Sequence, residues 1–168
     1  MTISMYQASV PVFQQGLAAL AGVLDKAAAH AAARKIDPAV LLQTRLFPDM
    51  FPLARQVQIA ADFAKGCPAR LAGVENPSYA DVETTIDALK ERLAKTTDFL
   101  KTIVSDQIDG SETRDITLKI AGNEMTFKGQ TYLLHFALPN FYFHSTTAYA
   151  ILRSSGVEIG KRDFIGQV

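Results

Sequence analysis

Cysteine is nearly absent from this chain, with one in 168 residues, and there is no tryptophan, no net charge and a total of three histidines. A lone Cys67 can close no disulfide within the chain, which argues against the cystine-stapled secreted domains and fits a reducing cytosol. Seventeen basic side chains are balanced by seventeen acidic ones, so the broad positive field that nucleic acid or an anionic membrane selects is missing. Neither is an expected partner. The longest apolar stretch near the start, Gly16 to Leu24, stops at Asp25, well short of a bilayer span. Met1 to Tyr6 carries no basic segment of the kind that opens a secretory signal. The histidines form no His-x-x-x-His pair and the cysteine no Cys-x-x-Cys pair, so the usual zinc spacings are absent too.

What is present is apolar: 48% of residues are hydrophobic and 20% charged, a composition that folds into one domain, residues 1–168. Tyr6, Val10, Phe13, Leu17, Leu20 and Leu24 recur at steps of four and three, the buried face of a first helix. That helix starts near Ser9 with Pro11 in its first turn, or at Ser4 with a kink. Alanines from Ala27 to Ala33 extend it to about Arg34 and offer a surface on which another helix can pack closely. Asp37-Pro38 opens a short helix, and Pro48 and Pro52 bracket a turn into a second long helix from Leu53, which Gly66 and Pro68 end or bend. Ser78 with Asp81 reads as the cap of a third long helix carrying Val82, Ile86, Leu89, Leu93, Leu100 and Ile103. Its early acids and late bases complement the helix dipole.

Between Arg114 and Lys128 the period changes to two, through Ile116, Leu118 and Ile120 and then Met125 and Phe127. This predicts a β-hairpin turning at Gly122-Asn123. Gln130 to Ser155 is the fourth long helix, interrupted at Pro139 and stopped at Gly156, followed by a tail that has Ile159, Phe164 and Ile165 to bury. The fold class is therefore all-α, a four-helix bundle with a short hairpin before the last helix.

His30 sits where a histidine serves a helix C-terminus, and His135 on an apolar segment reads as a hydrogen-bonded boundary residue. His144 stands in a dense aromatic and polar run, Asn140 to Tyr149. Asn140 lies one turn before it on the same helix face, which predicts a buried polar cluster. Asp49 reads as a cap for the second helix or as a negative charge at the mouth of the bundle. Cys67, away from a helix N-terminus and from any histidine, is inert. Ser145 follows His144 directly, so the two point apart and make no nucleophile–base pair. Lys161 and Arg162 have no glycine-rich phosphate loop with them and read as solvated.

The order of elements, with Phe143-His144-Ser145-Thr146-Thr147-Ala148-Tyr149-Ala150-Ile151-Leu152-Arg153 on the last helix, resembles the DinB/YfiT-like metalloenzyme superfamily. Within it the chain resembles an uncharacterised bacterial domain-of-unknown-function branch. That branch is marked by Arg45-Leu46-Phe47-Pro48-Asp49-Met50, Leu138-Pro139-Asn140-Phe141-Tyr142-Phe143-His144 and Gly160-Lys161-Arg162-Asp163-Phe164. The resemblance implies a four-helix bundle, often dimeric, with a divalent metal such as zinc or nickel on three histidines. By position His144 matches one of them, while Asn140 and Gln56 stand where the other two would be. Amide oxygens are weak ligands for zinc or nickel beside imidazole, so the implied centre is degenerate.

Two functions follow from this. One is a small-ligand-binding homodimer in which Gln56, Asn140 and His144 converge in a polar pocket, with Asp49 near its rim and Tyr142, Thr147 and Tyr149 close by. The other is a divalent-metal-dependent enzyme, a thiol-dependent transferase or hydrolase, that uses His144.

Overall fold

A computed structural model describes residues 3–120 and 122–167. Helix α1 (Val10–Arg34) takes the later of its two starts, with Pro11 in the first turn, where a missing N–H costs nothing. Ser9 is buried ahead of it, and its hydroxyl donates to the carbonyls of Met5 and Tyr6. Ala27 and Ala31 are fully buried among this chain's own residues. The small-residue end of α1 therefore serves packing inside the bundle. Helix α2 (Pro38–Gln43) is capped by Asp37, whose carboxylate accepts from the Ala39 N–H. In the turn that follows, Arg45 donates to the carbonyls of Pro48 and Met50 and so folds its own motif.

Helix α3 (Leu53–Ala72) does not end at Gly66 and Pro68, the first of the two expectations there, but runs through both and stops only at Gly73, which takes the left-handed conformation with φ 70°. Cys67, Pro68, Ala69 and Leu71 are all buried, and that burial holds the last turns helical against the local preference of proline. Helix α4 (Ile86–Lys101) starts eight residues after Ser78, capped by Thr85, whose hydroxyl accepts from the Ala88 N–H. Asp81, Val82 and Glu83 lie in the loop before it, so the two acids do not act on its dipole and Val82 is exposed rather than part of its buried stripe.

Those acids act on Arg92 instead. The Arg92 side chain is 2% exposed. It donates to the Ala80 carbonyl and Glu83 through Nη1, and pairs with Asp62 and Asp81 through Nη2. Burial alone pushes the Glu83 carboxyl up, but hydrogen bonds from Arg92, its own backbone and Gln58 bring it below its ordinary value. The network ties the 74–84 loop to α3 and α4.

A short helix α5 (Ser105–Ile108), unforeseen in the sequence, buries Ile108. Strands β1 (Asp115–Ile120) and β2 (Asn123–Lys128) form the predicted hairpin, with Ile116 opposite Phe127 and Leu118 opposite Met125. Ile120 pairs with Asn123, so Asn123 belongs to the second strand and not to the turn as expected. Ala121 lies outside the described residues, and Gly122 takes φ 87°. The chain then coils continuously through α6 (Gly129–Thr131), a π-helical segment (Tyr132–Ala137) and α7 (Leu138–Ser154). Pro139 lacks an N–H and its ring crowds the carbonyl four residues back, and the wide π turn before it absorbs both misfits. Helix α8 (Lys161–Ile165) docks the tail on α1: Asp163 accepts from the Gly160 N–H and pairs with Lys26 at 2.7 Å.

The architecture is a helical bundle with a small hairpin before its last long helix, built on one contiguous core that runs from Met5 to Ile159. No helix among the described residues is long and apolar enough to cross a membrane. Because Arg92 is buried and its carboxylate partners are partly exposed, Arg92→Met should cost about 2–3 kcal/mol in urea denaturation, below the cost of a fully buried pair. A loss under about 0.5 kcal/mol would show that the loop is held by other contacts.

Candidate functional site

The crossing of α3 and α7 brings together two of the residues singled out in the sequence. His144 Nδ1 lies 2.7 Å from Gln56 Oε1, and both side chains are buried. Gln56 Nε2 donates to the Phe51 carbonyl at 3.1 Å. A carbonyl only accepts, so the amide's NH₂ must face Phe51 and its oxygen must face the imidazole. His144 is therefore the Nδ1–H tautomer, and its Nε2 carries a free lone pair. Burial and the nearby Arg55 charge both push the His144 pKa down, which keeps the ring neutral. Phe63 stacks over this ring, with centroids 6.3 Å apart, and Phe143 meets it edge-on.

Asn140 shares the helix face but not the cluster, since its Nδ2 donates to the Phe136 carbonyl at 2.7 Å. Thr147 likewise spends its hydroxyl on the Phe143 carbonyl. Tyr142 and Tyr149 lie elsewhere, beside α1 and α8, around a small cavity of about 20 Å³ with Gly16 and Phe164. The reason is helical phase: at about 100° per residue both tyrosines stand roughly 140–160° around α7 from His144. Asp49 is exposed in the turn before α3. It does not cap that helix, whose N-cap is Pro52, with no side-chain hydrogen bond there.

A three-histidine metal centre does not fit these residues. The donor set is one imidazole and two amides, Gln56 already uses both ends of its amide, and Asn140 is turned to its own helix. Among the described residues no three His, Cys, Asp or Glu side chains gather in a metal-holding group. Cys67 is buried and its thiol is pushed far up by burial, so it supplies no thiolate.

The larger feature is a cleft of about 840 Å³ beside the crossing, unremarked in the sequence. Its floor is one face of α3, lined by Arg55, Ile59, Asp62 and Arg70, with Gly66 buried on the same face between Asp62 and Arg70. Its walls are the π segment, through Tyr132 and Phe136, the 76–79 loop, and strand β1 through Leu118. Aromatic rings line it in series: Tyr132 stacks on Phe136 at 6.0 Å, and Phe136 meets Phe63 at 5.8 Å. Asn140 closes the end nearer His144.

At the other end Gly66 interrupts a buried stretch of helix, at a cost of about 1 kcal/mol relative to alanine. A Cβ there would lie 2.5 Å from Arg70 Nη1, so the guanidinium lies over the bare glycine backbone. The spacing of Arg55 to Arg70 with a mid-helix glycine was the signal available in the sequence. It was hidden because the opposite face of α3 carries the stronger apolar pattern.

A histidine whose folded pKa is depressed stabilises the fold above its unfolded value of about 6.5, and that contribution is lost as pH falls below it. Melting temperature should therefore decline from pH 7 to pH 5.5, with a shallower slope in His144→Gln. Nitrogen-15 imidazole shifts at pH 7 should report the neutral Nδ1–H tautomer; an Nε2–H ring would contradict the hydrogen-bond geometry, and a charged ring would contradict the effect of burial and Arg55.

Residues 5–165 match the model of a domain of unknown function, DUF1993. The fold is similar to the crystal structure of a DinB family member protein from Shewanella denitrificans, at 39% identity and a TM-score of 0.91 over 97% of this chain and 92% of that one. The comparison with curated proteins returns no match. With the bundle, the hairpin and the marked motifs all in place, the chain belongs to the DUF1993 family and has the DinB-like fold.

Proposed function

We propose that this protein is a small-ligand-binding member of the DinB-like fold, with its binding site in the cleft along α3 and a degenerate metal position at His144. The observation that carries the reading is the cleft itself: about 840 Å³, within the size range of small-molecule sites, with aromatic walls and a few convergent polar groups. At its inner end His144 is a neutral, oriented ring behind Phe63, which gives the cleft a fixed wall rather than a mobile one.

A homodimer in a reducing compartment completes the proposal. Leu46, Phe47, Phe51 and Phe143 expose large apolar surface, and Phe51 and Phe143 both adjoin the Gln56–His144 pair. Apolar surface of that kind marks contact faces, and two-fold dimers are the commonest soluble assemblies. Cys67 is buried and free, as a thiol in a reducing compartment is.

The competing reading is a divalent-metal-dependent enzyme built on His144, of thiol-dependent transferase or hydrolase type. One observation favours it, the free lone pair on Nε2, and the amide-rich donor set counts against it.

Amide-resolved NMR titration with indole, 2-naphthol and 2-naphthamide at millimolar concentration tests the binding reading. Shifts should concentrate on Ile59, Phe63, Tyr132, Phe136 and Asn140 and be lost in Ile59→Trp. If none of the three probes moves these residues, or the shifts fall elsewhere, the reading fails. Metal analysis separates the two functions, since stoichiometric zinc or nickel lost in His144→Ala would favour the enzyme. Light scattering should give twice the 18.3 kDa chain mass, and a monomer at micromolar concentration would remove the dimer.

A further inference from the structure

We propose that the cleft along α3 selects a carboxylate carried on a flat apolar body, with Arg70 as the group that receives the anion. This rests on the cleft being a ligand site and names the class of ligand.

The argument begins from charge. Four cations and one anion line the cleft: Arg55, Lys65, Arg70 and Lys119 against Asp62. Arg55 is paired with Asp81 and Lys65 with Asp62. Lys119 is exposed at the rim, on the strand edge opposite Glu124. Like Lys119, Arg70 stands in no ion pair among the described residues, but it is half-buried where Lys119 is exposed. The one hydrogen bond of Arg70 there is from Nη1 to the Tyr132 hydroxyl oxygen at 3.2 Å. A guanidinium has five N–H donors, so four remain for another partner.

The position of Arg70 is built rather than incidental. Gly66, one turn earlier, leaves the space in which the guanidinium lies, and Asn76 approaches the same space from the facing loop. Tyr132 holds the other side. Burial, reinforced by Cys67, pushes its phenol up to about 12, so at neutral pH it keeps its proton and stays a donor beside Arg70. The donors available to an anion at this end are the Arg70 guanidinium and the Tyr132 hydroxyl, whereas Asn76 Oδ1, buried without a partner among the described residues, is an acceptor and contributes nothing to holding a carboxylate.

From this polar end the aromatic series Tyr132, Phe136, Phe63 leads toward Asn140, and Arg55 to Arg70 on the floor covers about 22 Å of helix. A planar apolar body suits those faces, and a planar fork of donors suits a carboxylate. A single unpaired guanidinium, with Asp62 farther along the floor, favours a monoanion over a phosphate dianion.

The test compares probes of one shape by NMR titration of the full chain: 2-naphthoate, its neutral isostere 2-naphthamide, and 2-naphthyl phosphate. Naphthoate should bind at least tenfold tighter than naphthamide and shift the Arg70 side-chain Nε–H signal, which naphthamide leaves in place. In Arg70→Met the two should bind alike. The Arg70 signal is read on the unmodified protein, so the test survives a variant that fails to fold.

Equal binding of naphthoate and naphthamide, or a preference that persists in Arg70→Met, overturns the anion assignment and leaves the cleft as a neutral-ligand site. A tenfold preference for naphthyl phosphate overturns the carboxylate class. If none of the three probes reaches the cleft, the underlying binding reading is what has failed.

Discussion

Helix α3 has to satisfy two opposite demands, and most of the structure follows from how it does so. One face carries Leu53, Val57, Ala60, Ala61, Ala64 and Leu71, all fully buried. Small residues on that face let the neighbouring helices come close, which fixes where α7 crosses and so where His144 meets Gln56. The other face carries Arg55, Ile59, Asp62, Gly66 and Arg70, which cannot be packed against a helix without stranding charge. The loop before α4, the hairpin and the π segment cover it instead, and they do not close on it. The cleft is what remains between a face that must stay partly polar and the irregular elements that shelter it.

Electrostatics keeps that shelter in place. Arg92 reaches from α4 to carboxylates on α3 and on the 74–84 loop, so the wall of the cleft is anchored by a buried cation rather than by apolar contact. On the opposite wall the π turn carries Tyr132 and Phe136 and joins them to Phe127 of the hairpin in one aromatic stack. Pro139 is the local cause of that turn, so a residue that interrupts a helix in the sequence sets the position of two rings in the site.

The long apolar periodicities were readable because burial on one face leaves a repeating mark. The bundle, the hairpin and its strands follow from Phe13-Leu17-Leu20-Leu24, Ile86-Leu89-Leu93 and the alternation around Ile116 to Ile120. The start of α4 was misplaced because Ser78 and Asp81 imitate a cap, whereas Asp81 is held by Arg55 and Arg92, a long-range pairing that no local pattern reveals. The run of α3 through Pro68 was obscured for a similar reason, tertiary burial overriding propensity. Of the candidate site, the Gln56–His144 contact followed from helix position and resemblance. Tyr142 and Tyr149 fell on the wrong side of α7 because proximity in a dense aromatic run says nothing about phase. The cleft was missed altogether, since it is assembled from four separate segments.

The central claim is that the crossing of α3 and α7 is closed by a neutral amide–imidazole hydrogen bond instead of by a metal. A double-mutant cycle on Gln56→Met and His144→Leu, measured by urea denaturation with chelator and again with added zinc, tests it most directly. The account predicts a coupling of about 1–2 kcal/mol with chelator present and the same value with zinc. Coupling that is absent with chelator and arises only with zinc would contradict it.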